Sequence, residues 1–356
     1  MQTIGTCGFC GTGSSAVSDY LAEFDENQVL DRFEFTIPYL PDGLSDLEYH
    51  LMKHATRDDN SSIAIPRFRR FMKYHGKSFI QKYGVKEKAY NDLVEEFIDK
   101  LVQVRFRSVR RSYPLLNPSS FYSFWGWHIM REKVFPRMKK HGIDATKYWP
   151  CQNVEVSVSP DGFEEASRNF IKSLLLMMGA DFERNLVLDQ PFSGNDPVSS
   201  FHFFDNPKAI VVDRDPRDNY LFTIFVLNKK SVNFMPVDTV QHFVQYYKAL
   251  RNNQPYTKPN NNVLVLHFED LVYNYENATK SIRDFVGLPD NPRPMSIFVP
   301  RMSMANTQLF KRYPEFANDI KYIENNLSDY IYDFSKYPEP DLTGKMFMGK
   351  SPLNKH

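Results

Sequence analysis

The stretch GFCGTGSSAV, Gly8 to Val17, decides the fold. It follows a short β-type run, QTIGTCGF, and leads into AVSDYLAEF, which sets Val17, Leu21 and Phe24 on one helical face. Strand, glycine loop and helix in that order make an anion cradle. Backbone N–H groups of the turn and the positive end of the helix converge on one point. Gly11 and Gly13 allow the unusual φ values such a turn needs, and the hydroxyls of Thr12, Ser14 and Ser15 add donors. Read as G-x-x-x-x-G-x-S, the frame is that of a P-loop, but Ser14 stands where the lysine belongs. Two other readings of the same residues stay open. One is a tight strand–helix turn without a ligand; the other is a redox C-x-x-C at Cys7 and Cys10.

Further strands follow the same logic. RNLVLDQP (Arg184–Pro191), KAIVVDRD (Lys208–Asp215) and NVLVLHF (Asn262–Phe268) are short buried-strand patterns. Pro216 is placed to open a helix, and EDLVYNYENATKSIRDFVGL reads as one helix ending at Gly287. Strands alternating with helices predict an α/β fold, a parallel sheet with flanking helices. Between residues 44 and 178 the pattern turns mostly helical, as in KAYNDLVEEFIDKLVQV (Lys88–Val104). This segment reads as a large helical insertion after the first βα unit, within a single domain spanning 1–356 and covering the ligand edge of the sheet.

The bulk numbers exclude several classes. With 42% hydrophobic and 24% charged residues the chain is a globular one, and a net charge of +1 offers no field for nucleic acid. Three cysteines make no disulfide framework, and no segment reads as a signal peptide or a transmembrane span, so the cytoplasm is expected. Nothing in the sequence speaks against a homo-oligomer. Any anion site has to be built locally.

A second constellation points to which anion. AIVVDRDPRDNYLF (Ala209–Phe222) puts Arg214 where a buried strand emerges, followed by Asp215-Pro216-Arg217-Asp218. PRMSMANTQLFKRY (Pro300–Tyr313) adds a late basic and polar segment, read by itself as an Asn-capped helix near Asn306. Together with the loop, these resemble the PAPS-dependent sulfotransferase family of bacterial type, with its P-loop-like fold. PAPS, 3′-phosphoadenosine 5′-phosphosulfate, is the co-substrate there. The resemblance implies that Cys10, Gly11, Thr12, Gly13, Ser14 and Ser15 hold the 5′-phosphosulfate. It implies that Arg214 holds the 3′-phosphate, as a planar guanidinium suits phosphate oxygens. Phe222 replaces the serine expected eight residues after that arginine, which leaves Thr223 as the substitute. Arg301, Ser303, Asn306 and Thr307 match the segment that returns over the nucleotide.

The family's loop cation is missing too, because Gly11 stands two residues before Gly13 where Lys or Arg is usual. Arg67, Arg69 and Arg70 of IPRFRRF, or the arginines of VRFRSVRRS, are the candidates to replace it. Sulfuryl transfer to a hydroxyl needs a proton acceptor. Asp189 of LDQP is the first choice, His128 in the aromatic stretch around Phe124, Trp125 and Trp127 the second, and His202 the third. His50 and His54, at i, i+4 spacing, resemble a metal pair without a third ligand, so no metal site is expected.

The expected reaction is therefore metal-free sulfuryl transfer to a small-molecule or glycan acceptor, a sterol, another lipid alcohol or a saccharide. Two rival classes remain: a degenerate, non-catalytic nucleotide-binding module, and a P-loop phosphotransferase. The absent lysine, with only Asp189 or Asp213 to hold Mg²⁺, disfavours the latter.

Overall fold

The structure, a computed structural model, describes residues 1–57, 60–108, 126, 129–143, 152–228, 235–251, 260–340 and 346. The chain divides into two compact units, Met1–Thr36 with Met178–His356, and Ile37–Met177. Among the described residues the strands are β1 (Thr3–Gly8), β2 (Asn27–Leu30), β3 (Val104–Ser108), β4 (Gln152–Val156), β5 (Asn185–Asp189), β6 (Pro207–Asp213) and β7 (Val263–His267).

In the first unit, five of these form one parallel sheet in the order β2-β5-β1-β6-β7. The fold is α/β, as the alternating pattern predicts. Its inner strands read as unbroken apolar runs because parallel strands are covered on both faces. Ile4, Cys7, Leu186, Val187, Leu188 and Ala209 to Val212 are accordingly buried. Helix α1 (Ser14–Leu21) lays Ala16, Val17, Tyr20 and Leu21 against Ile4, Val187, Ile210 and Val212. Each fully buried side chain of this size contributes roughly 1.5–3 kcal/mol before its ordering cost.

Strand β1 lies at the centre of the sheet. The chain builds β2 and β5 to one side of it, then crosses to place β6 and β7 on the other. Ligand crevices of open parallel sheets open at such a reversal, outside the carboxyl ends of the strands. The Phe9–Gly13 loop leaves β1 at that point.

One expectation in this unit changes, and one strand goes unannounced by the sequence. The helix predicted from Glu269 onward is two, Phe268–Tyr273 and Tyr275–Val286, broken where Asn274 leaves helical geometry at φ −122°, ψ 42°. It does end at Gly287, left-handed at φ 81°, whose N–H reaches the Arg283 carbonyl at 2.7 Å. Strand β2 (NQVL) carries no apolar run. Its Asn27 and Gln28 instead donate to the Leu21 and Gly179 carbonyls, each at 2.9 Å, at the edge of the sheet.

The second unit is helical with a two-stranded antiparallel ribbon, β3 with β4. Helices Asn60–Tyr83, Glu87–Leu101 and Phe163–Met177 bury Phe68, Phe97 and Phe170 together, with the last two rings stacked at 4.5 Å. The amphipathic helix stops at Leu101, not Val104, and the first arginines of VRFRSVRRS lie on β3. Its residues from 109 on lie outside the described residues.

Candidate active site

The loop after β1 is held by bonds that face inward. Thr12 turns both its polar groups into the turn. Its N–H donates to the Phe9 carbonyl at 3.0 Å, and its Oγ1 accepts the Phe9 N–H at 3.1 Å. Thr12 is 2% exposed, so its hydroxyl closes the loop and does not face outward. Gly11 and Gly13 sit at φ 74° and 95°, conformations that a side chain strains. A Cβ at Gly13 would come within 2.6 Å of the Phe268 ring.

Ser14 and Ser15 open α1, where first-turn amides have no intrahelical acceptor. The amides of Cys10 and Gly11 likewise have no acceptor among the described residues. Gln190, in the turn after β5 at φ 51°, donates to Ser14 Oγ at 3.0 Å and seats that turn on the loop.

Arg214 stands directly beneath. It leaves the end of β6 and is 2% exposed. Its Nη1 donates to the Gly11 carbonyl at 3.0 Å and its Nη2 to the Asn306 carbonyl, which ties the loop after β1 to the late segment. Its plane lies over the rings of Phe222 and Phe268, at 4.5 and 5.2 Å. Nε has no partner among the described residues. Burial pulls this guanidinium below its ordinary range, and the nearby Asp218, Glu269 and Asp215 oppose that shift. Phe222, the departure from the serine pattern, is thus the aromatic cover of the arginine.

The carboxylates around Arg214 are otherwise engaged. Asp215 pairs with Arg217 at 2.8 Å, and Asp213 with Arg251 at 2.5 Å. Asp213 is therefore not poised for a divalent ion. Asp218 accepts the Gln308 and Leu309 N–H groups at 2.7 and 2.6 Å. Burial above all, then Asp215, pushes its carboxyl up to about 7. Glu269 accepts the Asp215 N–H at 3.0 Å, and burial followed by repulsion from Asp215 and Asp218 pushes it well above the carboxylate range.

The remaining sequence candidates fall as follows. Ser303, Asn306 and Thr307 are buried, and Arg301 is exposed. Thr307 Oγ1 lies 2.6 Å from the Tyr273 hydroxyl. Asn306 caps no helix: Leu309–Arg312 begins after Gln308, and Asp218 from across the fold satisfies its first amides. Thr223 is fully buried and donates to the Asn219 carbonyl at 2.8 Å, a local helix bond.

Asp189 ends β5 in register with Thr6 of β1, half-buried at the same carboxyl edge as the loop. His202 lies on a short 3-10 turn, its ring 3.9 Å from that of Phe203. His128 and the aromatics around it lie outside the described residues. In the helical unit, Arg67 pairs with Asp42 at 2.5 Å, and Arg69 with both Glu95 and Glu155. His50 Nδ1 is 2.6 Å from Asn60 Oδ1.

The thiols do not favour redox chemistry. Burial pushes Cys7 far above its ordinary range, and burial with Glu34 pushes Cys10 up to about 11, so neither is a ready thiolate. Among the described residues no group of three or more His, Cys, Asp or Glu side chains could hold a metal ion, and no helix is long and apolar enough to cross a membrane.

Sequence reading misses Asn219, Gln190 and Asp218. A polar residue at position 219, within the otherwise apolar NYLF turn of a helix that must bury that face, is the signal that was available for the first.

No protein-family model matches the chain, and no curated protein sequence matches it. Solved structures distantly similar to the chain include two sulfotransferase domains. One is the sulfotransferase domain from the curacin biosynthetic pathway, with a TM-score of 0.37 at 12% identity over 82% of this chain and 75% of that one. The other is the sulfotransferase domain from the Synechococcus PCC 7002 olefin synthase, with a TM-score of 0.37 at 12% identity over 81% and 74%. At that distance the likeness assigns neither family nor activity.

Proposed function

We propose that the chain is a PAPS-dependent sulfotransferase. In this reading the amides of Cys10, Gly11, Gly13, Ser14 and Ser15 and the hydroxyls of Ser14 and Ser15 hold the 5′-phosphosulfate, Thr12 closes the loop from within, and Arg214, with Thr223, Arg301, Ser303, Asn306 and Thr307 around it, receives the 3′-phosphate. One observation carries the reading. Among the described residues, a buried guanidinium bonds to two neutral carbonyls and leaves Nε unsatisfied, and one of those carbonyls belongs to a loop whose Cys10 and Gly11 amides have no acceptor. Desolvating a cation without an anion in hydrogen-bond contact is costly. A ribose phosphate that displaced the Gly11 or Asn306 carbonyl would supply the missing charge-assisted partner.

The transfer is an in-line displacement. The acceptor oxygen bonds to sulfur as the bond from sulfur to the bridging phosphate oxygen breaks, and the electron pair leaves on 3′-phosphoadenosine 5′-phosphate. Asp189, at the same sheet edge, takes the hydroxyl proton, with His128 and His202 as the alternatives. The acceptor is a sterol, another lipid alcohol or a saccharide, and the enzyme works in the cytoplasm.

Titration calorimetry with 3′-phosphoadenosine 5′-phosphate in the presence of a chelator tests the donor. Binding without metal supports the reading, whereas a preference for Mg–ATP returns the chain to the phosphotransferases. Labelled PAPS with a panel of sterols and oligosaccharides then separates an enzyme from a binding module.

A further inference from the structure

Asn219 lies five residues beyond Arg214 on the helix Pro216–Phe222 and is 1% exposed. Its backbone is fixed: its N–H donates to the Asp215 carbonyl at 2.9 Å, and its carbonyl accepts the Thr223 hydroxyl at 2.8 Å. Its side chain reaches the phosphate loop, where Nδ2 donates to the Cys10 carbonyl at 3.0 Å. Oδ1 is buried without a partner among the described residues.

A peptide group is planar and trans, so a carbonyl and the following N–H point in opposite directions. Holding the Cys10 carbonyl toward Asn219 turns the Gly11 N–H away from it. That amide has no acceptor among the described residues. Arg214 does something different one residue on. By holding the Gly11 carbonyl, it directs the Thr12 N–H back to Phe9 and so closes the turn. Of the two inward bonds, the one from Asn219 sets a free donor.

Position 11 itself disfavours a side chain, by backbone strain and by a tight approach. At φ 74° a Cβ there would stand 3.1 Å from Leu227 Cδ1 and 3.4 Å from Asn219 Nδ2. The loop carries no basic side chain at a position where φ and the packing of Asn219 and Leu227 strain one.

We propose that Asn219 is a positioning residue for the bound anion. It orients the Cys10–Gly11 peptide so that the Gly11 amide donates to the 5′-phosphosulfate, replacing by geometry what a loop lysine provides by charge. The inference rests on the reading of the loop as the phosphosulfate cradle.

The test uses the full chain with inorganic pyrophosphate and with 3′-phosphoadenosine 5′-phosphate. Asn219→Leu keeps the volume and removes the donor. Its folded form should bind both probes about ten- to a hundred-fold more weakly, the loss of one charge-assisted hydrogen bond. In the wild type, saturating pyrophosphate should shift the Gly11 amide proton resonance downfield, and in the variant that shift should disappear. A purely structural tether would lower the unfolding midpoint and leave both readouts of the folded protein unchanged.

Wild-type affinity in folded Asn219→Leu overturns the proposal. If that variant does not fold, the wild-type resonance decides alone, and a Gly11 amide unmoved by saturating pyrophosphate overturns it. A wild type that binds neither probe removes the cradle reading and this inference together. A wild type that binds both, matched by an equally tight variant, removes only the inference.

Discussion

Replacing Arg214 by methionine separates the two tasks this residue performs. Methionine keeps the apolar reach between Phe222 and Phe268 and removes every donor. Two carbonyls, of Gly11 and Asn306, then lose their charged partner. Each such loss costs about 1–3 kcal/mol, so the gross destabilisation is roughly 2–6 kcal/mol. Relief from burying a guanidinium whose bonds go only to carbonyls offsets several kcal/mol of that. The net expectation is a loss of about 2 kcal/mol, read as a lower urea midpoint at unchanged slope.

Ligand binding sharpens the test. Losing a charge-assisted arginine–phosphate contact of about 3 kcal/mol weakens 3′-phosphoadenosine 5′-phosphate by roughly a hundredfold. AMP, which lacks the 3′-phosphate, should weaken about threefold at most. Calorimetric titration of both ligands into both proteins is the assay. Equal weakening of the two would refute the 3′-phosphate assignment and leave Arg214 as a support of the loop. No weakening of either would remove it from the site.

Three further outcomes are expected. Asp189→Asn should leave affinity for 3′-phosphoadenosine 5′-phosphate near wild type and slow sulfuryl transfer by about 10²- to 10⁴-fold, the usual worth of a general base; a wild-type rate moves the role to His128 or His202. Gly11→Lys introduces the loop cation usual in PAPS-dependent sulfotransferases, yet should weaken pyrophosphate binding in a calorimetric titration, because φ 74° and the 3.1 Å approach to Leu227 displace the loop; tighter binding would show that the loop accommodates it. Asp218 holds its proton in the folded state to about pH 7, whereas the unfolded carboxyl releases it near 3.8. The folded state therefore binds more protons in that window, and this group's contribution to stability falls as pH rises through it. Urea midpoints measured at intervals from pH 4 to 8 should show a decline that is smaller in Asp218→Asn, and identical profiles would contradict the shift.

Much of the sheet is legible in the sequence, for a physical reason. β1, β5 and β6 are covered on both faces, so their runs are apolar throughout and stand out from the helices between them. β2 does not stand out, because an edge strand of four residues is held by Asn27 and Gln28 side chains and not by an apolar pattern. The Gly287 stop is a local conformational requirement and is readable. The break at Asn274 follows from tertiary packing and is not.

The same division runs through the site. Gly11, Gly13, Ser14 and Ser15 announce the loop, since their chemistry is local. That Thr12 turns inward, that Asp218 and not Asn306 caps the late helix, and that Arg214 reaches the Gly11 carbonyl across 203 positions all depend on contacts distant in sequence. The ion pairs of Arg69 with Glu95 and Glu155 are of the same kind. A basic cluster in a sequence does not show which carboxylates will claim it.

A crystal structure of the chain with 3′-phosphoadenosine 5′-phosphate, grown with a chelator present, tests the central claim most directly. The 5′-phosphate oxygens should lie about 3 Å from the amides of Gly11, Gly13, Ser14 and Ser15, with the 3′-phosphate on Arg214 and no divalent ion between them. A nucleotide bound away from that loop, or one that enters it only when Mg²⁺ is supplied, would contradict it.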